Sequence, residues 1–272
     1  MDRILLIAGR LSFVSWCLLS SLIAAATADA RVSEEFHQTY PLVNNGELRL
    51  DNINGKVRIT TWERAEIQID AVKRADTQAD LDALKIEVAA KPDRIRIHTK
   101  YPKLKASLWR KGESGNVDYE LKVPVQINLK EIQCVNAGVE IEGVSGPVNA
   151  FSVNGRLKVT GLAADSKLES INGTVEATFE KFENVNKVGL KSVNGKLELN
   201  LPSDVNADVS AKSVNGGIHA DSGLTPTKHW PVGSSLQGTL GKGGSQIKLE
   251  TVNGSIRVRC SQAAFHGPRH LE

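Results

Sequence analysis

The sequence predicts an all-β protein: a β-solenoid, or single-stranded β-helix, built from Ser-Val-Asn-Gly repeats and entered through irregular N-terminal β-hairpins. Three observations carry this. A nine-residue phrase recurs at 151–159 (FSVNGRLKV), 169–177 (ESINGTVEA), 191–199 (KSVNGKLEL), 212–220 (KSVNGGIHA) and 250–258 (ETVNGSIRV), with an early copy at 51–59 and a worn one at 133–141. The residue in its Gly slot falls at 137, 155, 173, 195, 216 and 254, at intervals of 18, 18, 22, 21 and 38. A period near twenty residues marks stacked coils or a repeated hairpin. On both sides of Asn-Gly, polar and apolar residues alternate, the period-two signature of a strand with one buried face.

Asn and Gly both tolerate positive φ, so the pair reads as a corner. The predicted corners are Asn54-Gly55, Asn154-Gly155, Asn172-Gly173, Asn194-Gly195, Asn215-Gly216 and Asn253-Gly254. A second corner per unit is visible at Gly161 to Asp165 and at Gly143 to Pro147. An antiparallel β-meander with a two-residue turn at each Asn-Gly places Val148, Ala150, Leu157 and Val159 on one face equally well. The solenoid is preferred because stacked corners explain the recurring Asn: a ladder of amides can hydrogen-bond from coil to coil. In the competing reading, Asn-Gly serves the turn alone.

From the start of the chain, residues 1–30 read as a secretory signal peptide. Arg3 and Arg10 precede the apolar run 11–26, and Ala28-Asp29-Ala30 is an A-x-A cleavage site. A retained anchor is the alternative. No later apolar run is long enough to span a bilayer. Cleavage leaves the net charge at +3, which does not argue for a nucleic-acid partner. Residues 31–130 form a less regular β part. It has strands at 66–72, 86–88, 94–98 and 117–124, and one short helix candidate at 77–84 with an N-cap. These elements read as hairpins that start the stack and cover its end, because an open sheet edge invites aggregation. Residues 131–260 are the regular repeat, interrupted by an insertion at 221–244, and 261–272 form a polar tail.

Cys134 stands in the slot held elsewhere by Ser152, Ser170, Ser192 and Ser213, so a buried thiol filling a small inward position is the plainer reading. A disulfide to Cys260 is the alternative that export permits.

Two segments stand out as candidate contact surfaces. Residues 100–111 interleave Lys100, Lys103, Lys105, Arg110 and Lys111 with Tyr101, Leu104, Leu108 and Trp109, a composition suited to anionic polymers or a membrane surface. The insertion carries His229 and Trp230, a Trp on a loop being a natural sugar-stacking or partner-binding group. A solvated loop and a Trp folded over the coil edge are the plain alternatives. The outward repeat positions Lys56, Arg58, Arg156, Lys158, Lys196, Glu198, Arg257 and Arg259 form a further polar face.

The serial Ser-Val-Asn-Gly copies occur together with Thr39-Tyr40-Pro41, Leu50-Asp51-Asn52-Ile53-Asn54-Gly55, Thr61-Trp62-Glu63-Arg64 followed by Glu66-Ile67, and Val123-Pro124. In this combination the chain resembles the bacterial putative-adhesin family of β-strand-repeat domains, which are exported and envelope proteins. The resemblance covers most of the chain after residue 30. It departs at Ala137, which stands in a Gly slot, and at the long insertion before Gly254. It implies a β-helix or solenoid and, as an expectation, adhesion.

These readings favour a non-enzymatic adhesin-like or scaffold protein, exported to the periplasm, the cell surface or the medium. It would act by weak multivalent contact with an envelope polysaccharide or a protein partner. An envelope-stress or regulatory accessory that binds a protein is the second reading. A β-helix carbohydrate-active enzyme is the third. A glycosidase needs two carboxylates held together in a cleft, whereas Glu140, Glu142, Glu176 and Glu198 fall at alternating outward positions. No nucleophile elbow, metal-ligand spacing or phosphate loop occurs, so no catalytic residue, metal or cofactor is expected.

Overall fold

A computed structural model of the chain describes residues 31–101, 115–221, 223–229 and 232–260. The predicted signal peptide and tail, and most of the basic segment after Tyr101, lie outside the described residues.

In chain order, the first half contains β1 (Val32–Pro41), β2 (Glu47–Asn54), β3 (Val57–Trp62), β4 (Glu66–Ala75), α1 (Gln78–Ala83), β5 (Lys85–Lys91), β6 (Arg94–Lys100), β7 (Asn116–Pro124), β8 (Asn128–Asn136) and β9 (Val139–Glu142). The repeat region follows with β10 (Val148–Asn154), β11 (Leu157–Leu162), β12 (Ser166–Asn172), β13 (Val175–Phe179), β14 (Lys187–Asn194), β15 (Leu197–Leu201), β16 (Ala207–Asn215) and β17 (Ile218–Ala220). The chain then forms β18 (Thr227–Lys228), β19 (Ser234–Leu240), β20 (Ser245–Asn253) and β21 (Ile256–Cys260). The strands make two large mixed sheets. The first runs β1-β4-β7-β3-β9-β11-β13-β15-β21-β17 and the second β18-β19-β16-β20-β14-β12-β10-β8-β2-β6-β5. Neither closes on itself.

Each coil is one strand of the second sheet, a corner and one strand of the first. Equivalent strands pair in parallel and in register: Ser152 lies beside Ser170 and Ser170 beside Ser192, while Leu157 lies beside Val175 and Val175 beside Leu197. Parallel pairing rules out the antiparallel meander for this region, since a meander pairs consecutive strands head to tail. The alternating apolar residues point between the sheets. Ile59, Ile141, Val159, Ala177, Leu199 and Val258 from the first sheet are fully buried, as are Leu50, Ile132, Leu168 and Leu249 from the second. One continuous core runs from Leu42 to Val258.

The coils do not stack in chain order at either end. The coil β6–β7 lies outside β2–β3, which contacts β8–β9 on its other side. At the far end β20–β21, the last coil in sequence, slots between β14–β15 and β16–β17. The 38-residue interval in the repeat therefore contains the second strand of a coil laid one place too far out, a cap, and the return into the gap. Antiparallel strands cap both sheets at one end, β5 on β6 and β4 on β7 with β1 on β4, and the second sheet at the other, β19 on β16 with β18 on β19, while the three-residue β17 is the edge of the first sheet there. These caps satisfy backbone groups that open edges would leave unpaired. The short helix α1 forms beside them because Thr77 caps it, its hydroxyl accepting from the Asp80 N–H at 3.1 Å. Leu81 and Leu84 bury its inner side, and Lys73 donates to the Leu84 carbonyl at 3.3 Å.

Candidate functional site

The corners bring the Asn side chains into one line. Asn136 donates to Asn54 (2.9 Å), Asn154 to Asn136 (2.8 Å), Asn172 to Asn154 (2.9 Å), Asn194 to Asn172 (2.8 Å), Asn253 to Asn194 (2.7 Å) and Asn215 to Asn253 (2.8 Å). The line follows spatial order, with Asn253 between Asn194 and Asn215. Tyr101 stands at its first end, where its hydroxyl accepts from the Asn54 N–H at 2.9 Å.

Positive φ is not what selects these residues. Among the described non-glycine residues only Asn45 has positive φ, and of the six predicted corner glycines only Gly55 and Gly155 do. Close approach selects glycine instead. A Cβ at Gly173 would lie 1.9 Å from the Gly155 carbonyl oxygen, at Gly195 1.9 Å from that of Gly173, and at Gly216 2.0 Å from that of Gly254.

Two residues before each Asn, a small side chain is buried. Ser152 donates to the Ala137 carbonyl (3.2 Å), Ser192 to Gly173 (3.3 Å), Thr251 to Gly195 (3.2 Å) and Ser213 to Gly254 (2.8 Å). Cys134 occupies this slot, in register with Ser152 and Asn52. Burial, with the Asp51 charge as a lesser cause, pushes its thiol up to about 12. Cys260 ends β21 in the other sheet, on a coil four places along the stack. At about 4.8 Å per place the two are on the order of 19 Å apart, far beyond disulfide reach.

The outer face of the first sheet carries the predicted polar positions. Glu120, Arg58, Glu140, Lys158, Glu176, Glu198 and Arg257 follow one another in register. The charges largely pair among themselves: Arg58 with Glu142 (3.2 Å), Arg156 with Glu176, Lys158 with Glu140 (3.9 Å) and Lys196 with Glu198. The hydrogen bond from Lys196 holds the Glu198 carboxyl below its ordinary value. Such exposed pairs contribute roughly 0–1 kcal/mol each and leave little net charge to attract a ligand. Lys56, in the neighbouring row, has its N–H held by Asp118 at 2.8 Å, and Arg259 pairs with Asp221 at 3.9 Å.

The outer face of the second sheet is different. Its row nearest the corners is Ile53, Val135, Val153, Ile171, Val193, Val252 and Val214, and all but the partly buried Val153 are 36–42% exposed. Asp51, Gln133, Phe151, Glu169, Lys191, Glu250 and Lys212 form the next row. One row further back the face is dented at Gly189. A Cβ there would meet nothing within 4 Å, so neither packing nor a turn demands glycine. The depression has a volume of about 600 Å³ and is edged by Lys130, Lys167, Lys187, Lys191 and Lys248 against Asp165, Glu169 and Glu250. Lys167 pairs with Glu169 (3.3 Å) and Lys248 with Glu250 (2.7 Å), while Asp165 is committed to the backbone N–H groups of Asn186 and Lys187. The sequence reading missed this face. The signal was present: if Ser152 points inward, strand parity puts Val153, Phe151 and the position of Gly189 outward.

Of the predicted loop residues, Trp109, Arg110, Lys111 and Trp230 lie outside the described residues. His229 is exposed. Its Nε2 contacts the Ser235 hydroxyl at 2.7 Å and its N–H donates to Gly233 at 3.0 Å, so it closes the β18–β19 turn. Among the described residues no group of three or more His, Cys, Asp or Glu side chains could hold a metal, and no helix is long and apolar enough to cross a membrane.

Residues 126–259 match the family described as Toastrack DUF4097. The chain is also similar to the crystal structure of a putative cell adhesion protein from Clostridium sporogenes. That likeness covers 84% of this chain and 100% of the other, at 14% identity and a TM-score of 0.49. Similarity to a putative adhesin from Bacteroides fragilis covers 84% of this chain and 97% of the other, at 16% identity and a TM-score of 0.38. No curated protein matches the chain.

Proposed function

The chain carries a Toastrack DUF4097 domain at residues 126–259, and from that premise we propose that it is an exported, non-enzymatic protein of the bacterial envelope that binds acidic polymers through the outer face of its second sheet. The Ser-Val-Asn-Gly copy fits each coil to the next: its Gly admits the close approach of neighbouring corners, and its Asn ties neighbouring coils. The observation that carries the proposal is the lysine-edged depression at Gly189. Five lysines stand against three carboxylates, and one of those carboxylates, Asp165, is occupied by backbone N–H groups.

The lysines lie on neighbouring coils. Lys248, Lys191 and Lys167 belong to β20, β14 and β12, which are adjacent in the sheet. Lys167 and Lys248 flank Gly189 in one row, two coils or roughly 10 Å apart, and Lys191 stands between them one row nearer the corner, so the ammonium groups cluster around the dent where a chain carrying several negative charges can span them. Long-chain cations on an open face bind weakly one at a time and gain by multivalency, and salt screens them. On the first sheet Arg58, Arg156, Lys158 and Lys196 each have a carboxylate partner; in the depression Lys167 and Lys248 are paired as well, and the lysines still outnumber the carboxylates by two.

The test is a binding panel of acidic and neutral envelope polysaccharides against the purified protein and its Lys191→Glu/Lys248→Glu variant. Saturable binding to the acidic polymers, lost in the variant while its melting temperature holds, supports the proposal. Equal binding of acidic and neutral polymers, or no binding to any, overturns it and turns attention to a protein partner recovered from envelope extracts.

A further inference from the structure

The first sheet holds a groove that the polymer site does not use. It lies on the outer face across β1, β4, β7, β3, β9 and β11, which are adjacent in that order, and has a volume of about 1010 Å³. We infer that it binds a short peptide with a free amino end and a free carboxyl end, laid across the strands.

The charges of the groove balance, but they are sorted. Five carboxylates and five Lys or Arg side chains line it. Strand parity sets which residues face out. On β1, β4 and β7 these include Glu35, Asp70, Asp118 and Glu120. On or beside β3 and β11 they are Lys56, Arg58, Arg156 and Lys158, with Glu140 of β9 between. One side of the groove is therefore acidic and the other basic.

Where the halves meet, Lys56 lies beside Asp118 and Arg58 beside Glu120, opposite charges on adjacent strands that ordinarily attract. Neither side-chain pair forms. Arg58 reaches Glu142 at 3.2 Å, and Asp118 is held by Arg74 and by the Lys56 N–H. Glu142 and Glu176, which pair with Arg58 and Arg156, lie outside the groove. Among the described residues, Glu35 and Glu120 on the acidic side and Lys56 on the basic side have no ion-pair partner.

Two uncharged positions in one row mark where the ends of a ligand sit. Gly138 lies between Lys56 and Arg156. A Cβ there would meet only the Arg156 carbonyl oxygen, at 3.9 Å, and its φ is not positive, so neither packing nor a turn demands glycine. The missing side chain lets a carboxylate settle between the Lys56 ammonium and the Arg156 guanidinium. Arg156 spends one amino group on Glu176 and keeps further N–H donors for such a group. On the acidic side Val72 lies between Glu35 and Asp118, with Asp70 two residues back on the same strand, a setting for an ammonium. Val72 and Gly138 are three strand steps apart, roughly 14 Å. An extended peptide advances about 3.3–3.6 Å per residue, so about four residues span the distance. A single amino acid reaches one side only, and a plain anion gains nothing from the carboxylates.

The test is calorimetric titration of the purified protein with tetra-alanine, its N-acetylated form and its C-terminal amide. The expected result is saturable binding of the free peptide, weakened about tenfold by either block, the loss of roughly one charge-assisted contact. Two variants locate the ends. Lys56→Gln should narrow the preference for the free carboxyl end alone, and Glu35→Gln the preference for the free amino end alone. Both residues are exposed, so both variants should keep the wild-type melting temperature. No binding of the free peptide at millimolar concentration overturns the inference, as does equal binding of the blocked forms. A variant that narrows both preferences alike overturns it too. No acidic polymer enters this assay, so either proposal can fail alone.

Discussion

At the scale of single residues, glycine has two distinct uses in this chain, and they make opposite predictions. At Gly195 an added Cβ would lie 1.9 Å from the Gly173 carbonyl oxygen, a backbone atom that cannot swing aside. Gly195→Ala should therefore destabilise the protein by about 1–3 kcal/mol or more through overpacking. At Gly189 nothing lies within 4 Å, so Gly189→Ala should be neutral or stabilising by about 0.5 kcal/mol through reduced freedom of the unfolded chain. Paired denaturant melts check both, and equal losses at the two positions would contradict the close-approach account. The sequence showed that Gly195 sits at a recurring corner, but it suggested positive φ as the reason. Backbone proximity between coils depends on which coils touch, and a residue's own neighbours in sequence do not report that. The inward setting of Cys134 was legible, because the slot is defined by Ser152, Ser192 and Ser213 in other coils. Ser170 occupies the same slot without a hydrogen-bond partner for its Oγ, which shows that the slot accepts a group without bonding to it.

Among the elements, the Asn line and the capping hairpins divide the work of joining and ending the stack. Asn172→Ala removes two side-chain bonds, one to Asn154 and one from Asn194. Both are exposed, so the expected loss is about 1–2 kcal/mol, near the net worth of two hydrogen bonds. A melt unchanged within error would mean that the line forms without contributing to stability. Strand positions and the Thr77 cap were readable because alternation and capping are local rules. The order of coils was not. Asn215 and Asn253 carry the same motif, and nothing in either copy says which one faces Asn194. That choice is made by the hairpin β18–β19, which covers β16 and leaves the gap beside β14 as the place where β20 can pair on both sides. The exposed row Ile53 to Val214 went unread for a related reason: a β-branched residue satisfies the strand pattern whether it points in or out, and only its parity against Ser152 decides.

For the whole molecule, three buried weak acids near the first end of the stack predict how stability changes with pH. Burial pushes Cys134 from 9.0 to about 12 and Tyr101 from 10.0 to about 12, and it raises Tyr119 as well. Each group holds its proton more tightly folded than unfolded. Its contribution is fully present below the unfolded value and is lost as pH rises through the folded one. Denaturant midpoints should hold to about pH 9 and fall steadily toward pH 12; a midpoint that stays level across this window would contradict the burial of these groups. The proposed polymer site belongs to the same scale, because no single coil makes the depression at Gly189: Lys167, Lys191 and Lys248 reach it from three adjacent strands. Its central claim is tested most directly by titrating an acidic polysaccharide into the purified protein and into Gly189→Phe, at low and at high salt. A side chain at Gly189 enters open space, so the variant should fold and fill the dent. The account predicts saturable binding by the wild type that weakens with salt, and its loss in Gly189→Phe at an unchanged melting temperature. Binding that ignores salt, or that survives Gly189→Phe, would contradict it.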